Sequence, residues 1–411
     1  MRLLESAQWA PQVSDLALPL AQKTKRGRGT PVVCFVTDGH DAIVERRAGS
    51  DHPKNLGFPP CCRVRIVAGV VTTRTLERSR EAIGRLSRAG LDWWTFAGEA
   101  IPHLDRAIGF DCWCLALTDP DTHLPAGGSA DNPVIATQQR RLWELEFKVP
   151  DANTHRDLVR GPQHVGVLSA AVGGDLSRSA RWSELLRPGG LGDELRAALV
   201  GDARPWGDLC VYRERGSAPF SPDQARWVSE ILADLSLAAR GSWAIAGSRI
   251  SEDGEGPGTQ WVAADGTLIT QTATARRWLA HLGPQATAVQ QALVAMVGAD
   301  TGRPARVRMR SVQGHWFELN AERLDGPAGH VAVTIQPASP QQIAPLLMSA
   351  IGFSRRERDI AALVLEGLST QDITSRLFVS PHTIQDHLKS IFEKTGVRSR
   401  RQLTARLTGK I

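Results

Sequence analysis

The stretch STQDITSRLFVSPHTIQDHLKSIF, residues 369–392, contains two short amphipathic helices separated by a break of three residues. Ser369 and Ser380 stand where helix N-caps are expected, and Pro381 occupies the first position of the second helix. A break this short forces the two helices to cross steeply, which is the helix-turn-helix geometry. The stretch has no pattern typical of a nucleophile, a metal site or a phosphate loop, so it predicts a binding element.

Two further helices flank this pair. Ser354 and Glu357 form a capping box ahead of an apolar stripe, and Ser399 with Gln402 opens a last helix before residue 411. Four start signals that agree with four apolar stripes predict an all-α, four-helix domain over residues 348–411.

The third of these helices is expected to expose a polar face. Ile384, Leu388, Ile391 and Phe392 form one apolar stripe, and the opposite side is centred near Asp386. Short hydrogen-bonding side chains on that side suit the major groove of DNA, where base edges differ in their donors and acceptors. The alternative interpretation is a polar face that is merely solvated.

Charge is distributed unevenly along the 411 residues, whose net charge is +6. Residues 351–411 hold 11 Lys and Arg against 6 Asp and Glu, a net charge of +5. Residues 1–70 hold 10 against 6, a net charge of +4, which leaves the middle of the chain mildly acidic. A basic terminal domain on an acidic body favours a polyanionic partner for that domain.

The C-terminal stretch FSRRERDIAALVLEGLSTQDITSRLFVSPHTIQDHLKSIFEKTGVRSRRQLTARL resembles the LuxR-type DNA-binding domain over residues 352–408. The resemblance rests on the Arg-Glu-Arg opening, the Glu-Gly-Leu-Ser-Thr junction, the Val-Ser-Pro-His-Thr-Ile turn and the Gly-Val-Arg-Ser-Arg tail. It implies a transcription regulator that binds double-stranded DNA, places its third helix in the major groove, pairs through its fourth helix and works with RNA polymerase.

The resemblance also implies roles for individual residues. The side chains expected to read bases are Gln385, Asp386 and Lys389. The side chains expected to hold phosphates are Thr370, Ser380, Thr383, His387, Arg398 and Arg400.

Two of the base-reading positions depart from the family pattern. The family often has Lys at the position of Gln385 and a neutral residue at that of Asp386. A carboxylate near phosphates is repelled unless it accepts from a cytosine amino group, and Gln suits adenine. We therefore expect an operator with A and C at adjacent contacts.

Residues 73–247 are predicted to form one α/β domain. Residues 110–119 are interpreted as a fully buried strand, residues 164–172 and 206–214 as further strands, and Ser221 as the cap of a long helix. Helices at both ends and the stretch WGDLCVYRERGSAPFSPDQARWVSEILADLS are similar to a GAF sensor domain. That similarity implies a small-molecule effector held over the sheet.

The next region reads as a linker and a small module. Residues 248–259 are glycine-rich and polar, which is typical of a linker. Residues 260–340 predict a hairpin, a helix and three more antiparallel strands, and resemble a PAS-like α+β module. Both a ligand site and a simple spacer stay open for this module.

Residues 1–72 fit neither pattern. They are basic and rich in Gly and Pro. They are interpreted either as a disordered basic extension or as the product of a misassigned start, with translation beginning near Val70 or Val71.

Other classes of protein are disfavoured by the sequence. The scattered histidines, the six unpaired cysteines and the absence of a catalytic motif argue against an enzyme, a metal site or a bound cofactor. No G-x-x-x-x-G-K-[ST] motif occurs, so an ATP-hydrolysing regulator is not expected. The sequence has no apolar run of about 18 residues, so no membrane span is expected. A cytoplasmic location is expected instead.

The sequence thus predicts a multidomain α+β chain that regulates transcription as a homodimer under GAF-like and PAS-like control. Two alternatives stay open. One is an enzyme domain that transforms a small molecule while tethered to DNA, and the other is a ligand-blind dimeric DNA-binding protein.

Overall fold

The computed structural model describes residues 72–244, 249–250, 256–283, 285–299, 305–311, 313–326 and 329–409. Within them, two antiparallel sheets with their helices are followed by a run of five helices. The multidomain α+β fold class with an all-α C-terminal part is confirmed. The predicted N-terminal extension lies outside the described residues, apart from Thr72.

The first sheet has five strands in the order β2-β1-β5-β4-β3, and every neighbouring pair is antiparallel. The strands are β1 (Cys112–Thr118), β2 (Pro125–Asp131), β3 (Val165–Val167), β4 (Leu191–Gly201) and β5 (Arg204–Glu214). The long strands β4 and β5 are joined at Asp202 and Ala203, which both have positive φ angles. Two consecutive residues in that region match the right-handed twist of a tight hairpin.

Helices cover both faces of this sheet. One face packs against α2 (Trp93–Ile108) and α7 (Pro222–Trp243), and α1 (Thr73–Ser87) packs on these two helices. The opposite face carries shorter elements over a second apolar cluster. They are α3 (Pro133–Thr137), α4 (Gln139–Lys148), α5 (His155–Arg160), α6 (Leu168–Ala171), a 3₁₀ turn (Leu176–Arg178) and a π-helical turn (Trp182–Leu186).

Local sequence signals explain the long helices of the first unit, residues 72–244. Ser221 and Gln224 form the capping box that opens α7, as the sequence predicts. The residues before β1 form two helices, α1 and α2. The Asp92 side chain accepts from the amides of Trp94 and Thr95, both at 3.0 Å, and so caps the start of α2.

Two strand predictions need correction. The strand over residues 110–119 is not fully buried, since Cys112, Trp113 and Cys114 are only half-buried. The strand over residues 164–172 is limited to three residues, after which the chain turns into α6.

The second sheet is built from β7 (Gly258–Val262), β8 (Leu268–Gln271), β9 (Ala305–Arg310), β10 (His315–Arg323) and β11 (Val331–Pro337). A two-residue strand, β6 (Arg249–Ile250), adds a parallel pairing to β10. Between β8 and β9 lie α8 (Ala273–Leu282) and α9 (Gln285–Ala299). Apart from β6, the order β8-β7-β11-β10-β9 repeats that of the first sheet, so this second unit, residues 256–337, has the strand topology of the first.

Strand pairing begins inside the region predicted to be a linker. β6 lies at its start, and the first two residues of β7 are its last two, residues 258 and 259. Residues 251–255, between these strands, lie outside the described part of the chain.

The two units share one apolar core. Helix α9 packs along α4, and the rings of Trp243 and Trp316 stack with centroids 5.5 Å apart. An ion pair between the units is also buried: Arg308 Nη2 lies 2.6 Å from Asp119 Oδ1, and both side chains are at most 3% exposed. The units are therefore held by polar as well as apolar contacts.

The C-terminal helices are α10 (Pro340–Ile351), α11 (Arg355–Leu365), α12 (Thr370–Leu377), α13 (Pro381–Thr395) and α14 (Arg400–Leu407). We call α11–α14 the reader domain. Its four predicted N-caps, Ser354, Ser369, Ser380 and Ser399, each accept a backbone N–H. Helix α10 was not predicted and joins the reader domain to the second unit, packing against α7, α11 and α14.

Candidate nucleic-acid interface

The interface centres on the turn between α12 and α13. Phe378 closes α12 in the left-handed region, with φ 54° and ψ 46°, and its side chain is 93% exposed. The amide of Val379 donates to the carbonyl of Thr374 at 3.3 Å. The three-residue break expected from the sequence thus lies between Leu377, where α12 ends, and Pro381, where α13 begins.

The start of α13 is capped tightly. Ser380 Oγ accepts the amide of Thr383 at 3.1 Å, and the two hydroxyl oxygens lie 2.9 Å apart. The unpaired amides of a first helical turn carry partial positive charge, which favours a phosphate there. Ser380 and Thr383, which are both predicted to contact phosphate, therefore lie at the end of α13 that favours an anion.

Helix α13 separates an inward face from an outward one, as its periodicity predicts. Ile384, Leu388 and Ile391 are buried against the other reader helices. The three predicted base-reading side chains, Gln385, Asp386 and Lys389, are all exposed. Among the helices that the structure describes, the principal packing partners of α13 are α11, α12 and α14, so its polar face is open to a ligand.

Asp386 has a neighbour on its own helix. His382 Nε2 lies 3.6 Å from Asp386 Oδ2, and both side chains are largely exposed. An exposed pair at this distance contributes little to stability and leaves the carboxylate able to accept from another donor.

The predicted phosphate contacts fall into two groups. Arg398 is exposed, whereas Arg400 donates to the carbonyl of Leu368 and to the hydroxyl of Thr370, both at 2.8 Å. Arg400 and Thr370 are thereby brought together at the start of α12. His387 is half-buried on the flank of α13.

Glu357 anchors α13 from below, a role that sequence reasoning missed because it treated this residue only as part of a cap. Glu357 Oε1 accepts from Ser390 Oγ at 2.7 Å, and Oε2 accepts from Lys394 Nζ at 2.6 Å. These hydrogen bonds outweigh burial and lower the pKa of Glu357 to about 2. The carboxylate therefore stays ionised and fixes α13 on α11.

Two arginines without an assigned role also position the reader domain. Arg356 Nη2 donates to the carbonyl of Leu377 at 2.9 Å and closes the end of α12. Arg406 Nη2 donates to the carbonyl of Ala244 at 2.7 Å, and burial lowers the pKa of Arg406. The bond from Arg406 connects α14 to the C-terminal end of α7 in the first unit.

Metal ligands, thiols and long apolar helices are the other candidate functional features of the described residues. No group of three or more His, Cys, Asp or Glu side chains there is arranged to hold a metal ion. Cys114 and Cys210 are free thiols, Cys112 is half-buried on the same strand as Cys114, and the other three cysteines lie outside the described part. No helix in the described ranges has both the length and the apolar character needed to cross a bilayer.

This geometry defines a helix-turn-helix domain. The family model described as "Bacterial regulatory proteins, luxR family" matches residues 352–407. The spore germination protein GerE of Bacillus subtilis is 33% identical over 54 residues, which cover 13% of this chain and 73% of GerE. The chain belongs to the LuxR family of bacterial regulatory proteins.

Other similarities are narrower or weaker. A Mycobacterium tuberculosis protein named as an HTH-type transcriptional regulator is 57% identical over 47 residues, 11% of this chain and 5% of the relative's own length. The structure "SdiA in complex with octanoyl-rac-glycerol" covers 82% of this chain and 95% of its own, at 13% identity and a TM-score of 0.32. The bacteriophytochrome RpBphP3 of R. palustris covers 72% and 67%, at 15% identity and a TM-score of 0.27.

Proposed function

We propose that the protein is a sequence-specific DNA-binding transcription regulator. The observation that carries this proposal is the polar, open face of α13 above a buried apolar stripe, with a capped N-terminus at one end. A helix of this kind can enter the major groove with donors and acceptors directed at base edges.

We propose the division of labour expected from the sequence. Gln385, Asp386 and Lys389 read bases, because they are exposed on the face that would enter the groove. The side chains proposed to position the phosphate backbone are Thr370, Ser380, Thr383, His387, Arg398 and Arg400. Arg400 retains part of its guanidinium for a phosphate while its remaining donors hold Thr370 and Leu368.

The domain division is proposed as residues 73–247, 260–340 and 348–411, with the first two acting as a sensing body. The repeated strand order and the shared apolar core support treating these two regions as paired sensor-like units. A small-molecule effector of the first unit would shift the balance between arrangements that differ in DNA affinity. The bond between Arg406 and Ala244 gives the first unit a direct contact with the reader domain.

The partners follow from the same role. Double-stranded DNA is bound by a homodimer on a paired site, and RNA polymerase is engaged at the target promoter. Such a protein acts in the bacterial cytoplasm, where the chromosome is. No catalytic step is part of this proposal, and turnover of a small molecule by the purified chain would favour the rival enzyme interpretation.

The experiment that tests the proposal is an in vitro binding-site selection with the full-length protein at a stated salt concentration. We expect a palindromic motif to be enriched. If full-length protein recovers no motif, the selection is repeated with residues 339–411, which retain α10 and its cap. Failure of both proteins to enrich a motif would contradict the proposal, whereas success of the short protein alone would mean that the sensing units hold the reader off.

A further inference from the structure

Asp208 lies in a row of very small residues across the first sheet. The ladder pairs it with Ala198 on β4 and with Ala116 on β1, and Ala116 in turn pairs with Gly128 on β2. Residues opposite one another in adjacent strands share a face, so these four positions lie side by side. Ala198 is fully covered, but Ala116 and Gly128 carry only a methyl group and no side chain, respectively, and keep accessible surface, which leaves space on that side of the carboxyl.

The surroundings of Asp208 indicate an internal hollow over this part of the sheet. In the next row of the ladder, Cys210 pairs with Cys114. Burial raises the pKa of the Cys114 thiol to about 12, and burial likewise raises the pKa of Asp208 and of Cys210. All three residues nevertheless retain accessible surface and are only half-buried. Groups that are enclosed by protein but keep uncovered surface face an interior space.

Three polar groups beside this hollow have no hydrogen-bond partner among the described residues. The carboxyl of Asp208 makes no hydrogen bond or ion pair, and His155 Nε2 and Asn153 Nδ2 are buried and unpaired. His155 is close enough to lower the pKa of Asp208 electrostatically, and the Asn153 carboxamide lies against Gly166 on β3. His155 Nε2 and Asn153 Nδ2 are covered by protein, whereas Asp208 keeps accessible surface, so its carboxyl is the group to which a ligand could supply the missing partner.

The adjacent charged network supplies no spare cation. Glu194 accepts from Arg181 at 2.8 Å and from Arg196 at 2.9 Å, and Glu146 accepts from Arg196 at 2.8 Å. Asp151 faces Arg181 at 3.7 Å. Three carboxylates in this network thus share two guanidiniums, and all five side chains are at most 8% exposed. The carboxyl of Asp208 adds a fourth acid without adding a cation.

We propose that this hollow binds a small organic cation, a protonated amine whose N–H groups donate to Asp208. Its carbon portion would rest on Ala116, Cys114 and Cys210. This inference rests on the effector role proposed above and names the chemical class of the effector. Pairing with a cation would supply the charge that the local network lacks.

The position of the hollow suits a signal. Helix α4, which supplies Glu146 on this side, also packs Leu142 and Leu145 into the cluster over the sheet. Its other side carries Trp143 and Phe147 against α9 of the second unit. A ligand beneath α4 would therefore act on a helix held between both units.

The test is thermal unfolding of the full-length chain with n-butylammonium. Butan-1-ol and butyrate, at equal concentration and ionic strength, are the neutral and anionic controls of the same chain length. We expect butylammonium alone to raise the melting temperature, by a few degrees at a concentration about 100 times its dissociation constant. Asp208→Asn should abolish this shift without lowering the melting temperature of the free protein, because it removes an unpaired buried acid.

Two further variants keep the test decisive. Asp223→Asn alters an exposed acid on α7, 84% exposed at its side chain, and should retain the shift. Ala116→Leu fills the hollow without changing charge and should abolish it. Equal shifts with all three compounds, no shift with any of them, or an unchanged shift in Asp208→Asn would each overturn the proposal. None of these results affects the binding-site selection, which tests DNA recognition separately.

Discussion

Lys394 Nζ lies 2.6 Å from Glu357 Oε2 and ties the recognition helix α13 to α11. Glu357→Gln keeps the size of the side chain but removes its charge, so the bonds to Lys394 and Ser390 weaken. We expect a loss of about 2 kcal/mol in the local stability of α13, measured by hydrogen exchange of its amides. Asp359→Asn, at an exposed position of the same helix, is the matched control and should leave this exchange unchanged.

Acid should act on the same contact. The pKa of Glu357 is about 2 in the folded protein, below its ordinary value of 4.5, so folding favours the ionised form. Its contribution is complete above pH 4.5 and is lost as the pH falls toward 2. The stability difference between wild type and Glu357→Gln should therefore shrink over this window in acid titrations followed by circular dichroism. A difference that grows on acidification would show that the carboxylate is not stabilised in the fold.

The ion pair between Arg308 and Asp119 should hold the two sheet units together. Arg308→Met leaves a buried carboxylate without its partner, which costs about 3–5 kcal/mol. Arg323→Met, at an exposed position of the neighbouring strand β10, is the control and should cost little. Urea unfolding followed by tryptophan fluorescence measures both. Similar midpoints for the two variants would mean that the buried pair does not join the units.

Phosphate and base contacts should differ in their response to salt. Arg398→Ala removes an exposed cation proposed to contact phosphate, so binding to every sequence should weaken and the salt slope should fall by about one unit. Lys389→Ala should instead change which sequence is preferred. Titrations of specific and random duplexes at several salt concentrations distinguish the two. Parallel losses on both duplexes from both variants would contradict the division into reading and positioning residues.

The reader domain was predictable because its signals are local. Each of its helices is capped by a serine whose side chain accepts the backbone N–H three residues later. Its apolar stripes repeat at helical spacing. Helix α10 carries the same kind of signal, a capping box formed by Ser339 and Gln342 with Pro340 between them. It was missed although the sequence contained what was needed to find it.

The sensing units were less predictable for physical reasons. Strand β4 contains Glu194 and Arg196, which look solvent-exposed but are buried in an ion-pair network that forms only when distant segments meet. The contact of Asp119 with Arg308 joins residues 189 positions apart. Neither relationship leaves a periodic signal, and the hollow at Asp208 depends on strand register, which local sequence does not specify.

The central claim, that α13 reads bases, is tested most directly by comparing binding-site selections for wild type, Asp386→Ala and Arg398→Ala at one salt concentration. We predict that wild type enriches a palindrome with adjacent A and C contacts in each half-site. Asp386→Ala should lose the preference for C, while Arg398→Ala should enrich the wild-type motif more weakly. An unchanged motif in Asp386→Ala would contradict base reading by this residue, and no enrichment by wild type or by residues 339–411 would contradict sequence-specific DNA binding altogether.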